Sequence, residues 1–156
     1  MKIAKAKLER SILQGQLRAA RELAKLIPTM VRERTRKGLG LLGSLDGLSD
    51  SYIKFRTRVR SRLSKETSPG MSNLTATGQL LNAIIGEARG TLIRVFISDK
   101  PRRRELNPSA NATNKEIRGY VESQGREFLG LTANERKEVE RIAAETIKME
   151  IRRVFK

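Results

Sequence analysis

The sequence predicts an α+β fold, with a long basic N-terminal helix, a small antiparallel sheet built on a central hairpin, and a C-terminal amphipathic helix. Three observations carry this. Apolar residues recur at helical spacing through the first 37 residues, a central segment alternates apolar and polar around an Arg-Gly pair, and two capping boxes open helices in the last third. The helices flank the strands in sequence instead of alternating with them, which argues against a doubly wound parallel sheet.

The first element runs from Lys2 to about Lys37. Gly15 is its only glycine, and Ile12, Leu13, Leu17, Ala20, Ala24, Ile27 and Val31 form an apolar stripe opposite a basic face. Pro28 is expected to kink or interrupt the helix, because it lacks an amide proton and crowds the preceding turn. Gly38 is a natural C-terminal cap. Residues 38–50 (GLGLLGSLDGLSD) read as a flexible loop whose leucines need a partner surface. Ser49 caps a second basic helix over 50–63, with Tyr52, Phe55 and Val59 on one face and Arg56, Arg58, Arg60 and Arg62 mostly off it. Residues 64–73 form a turn-rich linker, after which Thr75 or Thr77 starts a short helical turn through 79–83.

The hairpin pairs 83–88 with 91–98 around Arg89-Gly90, and Ile93, Val95 and Ile97 share its apolar face. Residues 99–112 (DKPRRRELNPSANA) are a basic exposed loop. Thr113 with Glu116 opens a helix to about Gln124, and Thr132 with Glu135 opens one to about Val154, amphipathic through Val139, Ile142, Ala143, Ile147, Ile151 and Val154. Between them, 126–131 (REFLGL) is read as a short edge strand. The chain thus divides into a helix over 1–37 and one α+β body over 38–156, with loops at 38–50, 64–73 and 99–112.

Composition excludes much chemistry. The 156 residues contain no His and no Cys, so Ser-His-Asp and Cys-His sites, cysteine redox pairs, disulfides and conventional zinc sites are ruled out. Six aromatics and no Trp make any core aliphatic. There is no signal-like apolar region and no stretch near the ~18 apolar residues of a membrane span, so a soluble product of the cytoplasm is expected. The net charge of +16 is uneven. Residues 1–65 hold 17 Lys+Arg against 5 Asp+Glu, a net of +12, and 66–156 hold 16 against 12, a net of +4. The polyanion-facing candidates are Arg32, Arg34, Arg36 and Lys37 at the end of the first helix, and Arg102, Arg103 and Arg104 in the basic loop. With no aromatics between them, such groups would grip phosphate and not read bases.

Three motifs carry less than they spell. Residues 38–43 match G-x-G-x-x-G, but a helix precedes the run and no strand does, so the phosphate-binding context is missing and the segment reads as a hinge or loop. Asn73 and Asn111 sit in glycosylation sequons without a secretory signal. Glu135, Glu138, Glu140 and Glu145 lie on one helix among cations, the pattern of a solvated face and not of converging catalytic acids. No catalytic, metal or cofactor residue is assigned.

One resemblance is specific. The stretch TSPGMSNLTATGQLLNAI (67–84), after a helix containing Leu48, Ser49, Tyr52 and Arg56, resembles the tail-completion, or virion-morphogenesis, proteins of tailed bacteriophages. Asn114-Lys115-Glu116-Ile117, Gly119-Tyr120 and GREFLGL (125–131) ahead of the last helix extend the resemblance over about 45–156. Many relatives of this kind carry a histidine-and-glycine segment and a proline before the aromatic, where this chain has VESQG (121–125) and Glu127. The resemblance implies a non-enzymatic neck subunit of the virion, in a six- or twelve-fold homo-oligomeric ring between head and tail. Its partners would be other neck, portal-side and tail-terminator proteins. The basic helix would line a DNA channel or pack on acidic neighbours. Leu39, Leu41, Leu42, Leu45, Phe96 and Phe128 are the interface candidates. The alternative is a nonspecific nucleic-acid-binding protein that uses its basic N-terminal helices.

Overall fold

The computed structural model describes residues 2–65, 67, 69–76, 78–99 and 112–155. Helix α1 (Lys2–Arg36) is followed by α2 (Asp50–Arg58), a 3₁₀ turn (Arg60–Arg62), α3 (Gln79–Asn82), strands β1 (Ile84–Arg89) and β2 (Leu92–Ile97), α4 (Asn114–Ser123) and α5 (Ala133–Val154). The strands pair as a two-stranded antiparallel hairpin, so the fold is α+β as expected. Two compact units are present. One comprises Met1–Pro28, Gly86–Val95 and Leu131–Lys156; the other comprises Thr29–Ile85 and Phe96–Gly130.

In the first unit the packing of α1 and α5 follows from small side chains. Ser11, Gly15 and Ala19 repeat every four residues and are buried, as are Ala20, Leu23, Ala24 and Ile27. A Cβ on Gly15 would sit 2.8 Å from the Ile147 Cα, so only glycine lets the two backbones meet there. Thr146 is buried beside it and satisfies its hydroxyl on the Ile142 carbonyl at 2.9 Å. The apolar face foreseen for α5 is the half-buried one.

Pro28 does not interrupt α1, which continues to Arg36. Pro28 cannot donate to the Ala24 carbonyl, and Gly86 of β1 fills the space over that oxygen. A Cβ at Gly86 would lie 1.9 Å from it, which is where a Cα hydrogen now points. The close approach of strand backbone to helix compensates the missing donor.

In the second unit α1 ends in a Schellman motif. Gly38 takes φ +78, its N–H donates to the Thr35 carbonyl at 2.9 Å, and Leu39 donates to Arg34 at 3.2 Å. The core holds Val31, Leu45, Leu80, Leu81, Ile84, Ile97, Val121 and Phe128. The capping box of Thr113 with Glu116 forms here, and that of Thr132 with Glu135 forms in the first unit. Ser49 caps α2, but that helix stops at Arg58 and only a 3₁₀ turn follows.

Other expectations are corrected. α3 is entered through Gly78 at φ +70 and not through Thr75; Thr77 lies outside the described residues. Thr75 is buried instead, its hydroxyl 2.6 Å from Asn73 Oδ1, so the first sequon is an internal turn. The hairpin turn falls on Gly90-Thr91, one residue later than predicted, since Gly90 supplies the left-handed conformation at φ +61. No strand forms over 126–131. Glycines at either side, Gly125 and Gly130, have positive φ, and the carbonyls of Phe128 and Gly130 are taken by the Arg34 guanidinium and not by a neighbouring strand.

Candidate functional site

The predicted polyanion site at the end of α1 is largely internal. Arg32 donates from Nε to the Leu81 carbonyl at 3.1 Å and from Nη2 to Ile84 at 2.7 Å. Arg34 is buried and donates to the carbonyls of Phe128 and Gly130. These carbonyls belong to a helix end (Leu81), the first residue of β1 (Ile84) and a loop (Phe128, Gly130), and a guanidinium with five N–H groups can satisfy two at once. Arg32 and Arg34 therefore act as structural clamps on backbone carbonyls. Arg36 is half-buried and Lys37 exposed. Arg102, Arg103 and Arg104 lie outside the described residues.

The same device recurs. Arg126 donates to Asp46 at 3.2 Å and to Gly47 at 2.7 Å, and Arg56 donates to Met71 at 2.9 Å. Arg56 was expected off the packed face of α2, yet it is buried there. Burial lowers its pKa, with the Tyr52 ring acting in the opposite direction. Sequence alone marked it only as one of a run of alternating arginines.

A more exposed basic array lies earlier on α1, in the first unit. Lys7, Arg10, Arg18, Arg21 and Lys25 follow one another at three-, four- and eight-residue steps, so they share one stripe, and all are exposed. At 1.5 Å per residue it extends about 27 Å. Arg18 is partly engaged, bonding Glu22 at 3.0 Å and lying 3.7 Å from Glu150. The same 3.6-residue count that gave the apolar face could have revealed this stripe.

The interface candidates separate by burial. Phe128 is fully buried and Leu45 nearly so; both fill the core of the second unit and offer no surface. Leu41 is half-buried, packed against Gly130, with its N–H on the Glu127 carbonyl at 2.9 Å. Phe96 is half-buried on β2, and Leu39 is exposed. Leu42, at 94% exposure, stands at the tip of a tight turn closed by Gly40 donating to Gly43 at 2.6 Å and Leu45 donating to Gly38 at 2.8 Å. Those amides are spent on carbonyls, so the glycine run presents no phosphate cradle. In the first unit Leu92, beside the hairpin turn, is 75% exposed.

The α5 glutamates form a local ion-pair ladder. Arg141 bonds Glu138 at 2.6 and 2.8 Å and Glu145 at 2.8 Å, which raises the arginine and lowers Glu138 from their ordinary values. Among the described residues no three acids gather into a metal site, and no helix is long and apolar enough to cross a membrane. Set against family models, curated proteins and solved structures, the chain matches none of them.

Proposed function

We propose that the chain is a structural assembly subunit of a tailed-phage virion, a neck or tail-completion protein that joins head and tail as a homo-oligomeric ring and performs no catalysis. The observation that carries this reading is the exposure of large apolar side chains at turn tips, Leu42 above all, held out by a turn closed by two backbone hydrogen bonds. An isolated exposed leucine is ordinary on a protein surface. One presented by a closed turn, beside the half-exposed Leu39, fits a side chain that docks into a neighbour's pocket in a head-to-tail ring. The resemblance of 45–156 to tail-completion proteins supports the same reading, as does the internal use of Arg32 and Arg34, which leaves less of the charge for gripping DNA. The test is immunodetection of the chain in gradient-purified, DNA-filled particles from cells in which it is made during infection. A constant copy number per particle is expected. Its absence from particles that are still infectious overturns the proposal.

A second reading is favoured by the Lys7–Lys25 stripe, namely nonspecific binding of nucleic acid through phosphate. Each phosphate neutralised adds about −0.9 to the slope of log affinity against log salt. Binding of random duplex with a slope steeper than about −3, reduced by Arg10→Gln and Arg21→Gln together, supports that reading. A slope near zero removes it.

A further inference from the structure

Two buried polar side chains face one cavity, and each keeps hydrogen-bonding capacity that no described residue uses. The cavity, about 510 Å³, lies wholly within the second unit. That falls in the roughly 300–1,000 Å³ range of ligand pockets. Leu48, Leu74, Leu80 and Ile117 give it apolar walls, and Arg56 and Asn114 line it. Arg56 is 2% exposed and Asn114 1%. Arg56 spends Nη1 on the Met71 carbonyl, leaving Nε and Nη2 without an acceptor. Those two nitrogens form one edge of the guanidinium, whose parallel N–H groups match the two oxygens of a carboxylate. Asn114 donates from Nδ2 to Ser98 at 3.3 Å, and its Oδ1 accepts nothing from the described residues. Burying a cation without a counter-charge is costly. Among the described residues the cavity is short of one anion and one donor.

We infer that this cavity binds a carboxylate-bearing apolar segment of a partner protein, Arg56 holding the carboxylate through its Nε–Nη2 edge and Asn114 Oδ1 accepting an N–H of the same segment. Charge favours a foreign acidic partner over a second copy, because each copy carries +16. Tyr120, 67% exposed, and the exposed Tyr52 both line the cavity. Tyrosine and arginine are the residue types that concentrate binding energy at protein interfaces, and a free small carboxylate would leave Tyr120 uncovered. In the free chain both guanidinium nitrogens are closed to water, and the guanidinium carbon lies 5.9 Å from the Tyr52 ring centroid. A carboxylate therefore reaches that edge only once side chains at the cavity wall move aside. None of this depends on a place in a virion.

The test is a titration of the nitrogen-15-labelled full chain followed by amide resonances. The probes are the blocked tripeptide acetyl-Leu-Glu-Leu-amide, its Gln counterpart, and 3-phenylpropionate. The Glu peptide is expected to shift resonances of 48–56 and 114–124 saturably and to bind about tenfold or more tighter than the Gln peptide, the ratio expected of a charge-assisted bidentate pair. Arg56→Lys keeps the charge and loses the fork, and should abolish most of that ratio. Should Arg56→Lys not fold, the exposed Tyr120→Ala still tests the rim, with an expected loss of about threefold or more for the Glu peptide alone. Equal binding of the two peptides, shifts confined to other residues, or 3-phenylpropionate binding as tightly as the Glu peptide would each overturn the inference. So would shifts of the same residues with protein concentration in the absence of peptide, which would make a second copy the occupant.

Discussion

At the scale of single residues, arginine acts here as a backbone clamp. Arg32, Arg34, Arg56 and Arg126 each donate to backbone carbonyls distant in sequence, which helps a chain with six aromatics and long irregular segments order its loops. Arg34→Ala should therefore destabilise by about 3 kcal/mol, because it strands buried carbonyls of Phe128 and Gly130 as well as removing packing. Urea denaturation checks this, and a loss below about 0.5 kcal/mol contradicts it. Gly86→Ala should cost about as much or prevent folding, since its Cβ would collide with the Ala24 carbonyl at 1.9 Å. Which arginines turn inward was not legible in the sequence. Arg32 and Arg21 are alike as letters, and only carbonyls 49 and 52 residues away decide that Arg32 is a clamp. Gly86 gave a better signal, as glycine inside a strand pattern marks close approach of another backbone.

Among elements, what depends on neighbours in sequence was readable and what depends on distant partners was not. The capping boxes need only residues three apart, and both formed. Thr132→Ala should lower stability by about 1 kcal/mol, measurable as a shifted urea midpoint with unchanged slope. Glu116 is held below its ordinary value of 4.5 by hydrogen bonds from the Thr113 backbone and hydroxyl. A depressed carboxyl stabilises the fold above its unfolded pKa, and that contribution is lost as pH falls through the lower folded value. Glu116→Gln should thus flatten the acid limb of stability below about pH 4.5 and leave the region above pH 6 parallel to wild type. A steeper acid limb would contradict the assignment. The strand foreseen over 126–131 failed for the opposite reason, since its alternation was real but its carbonyls were claimed by Arg34, far away in sequence. The leucine loop was likewise only half legible. Its tip, Leu42, is exposed, while Leu45 turned into the core.

For the whole molecule, the cations of the described residues that make up much of the +16 are divided among clamps, ion pairs and an exposed stripe on α1, and charge alone therefore does not specify a nucleic-acid partner. The assembly reading places the functional weight on apolar tips. Leu42→Asp should leave the unfolding free energy from urea denaturation within about 0.5 kcal/mol of wild type, because the side chain touches solvent, yet prevent incorporation into particles. Unfolding of this variant would mean that the turn belongs to the core. The most direct measurement is an image reconstruction of purified particles from cells making the chain. The account predicts a ring of this subunit at the head–tail joint, six- or twelve-fold, with the Leu42 turn seated against the adjacent subunit. Intact joints whose density has no place for α1 and α5 would contradict it.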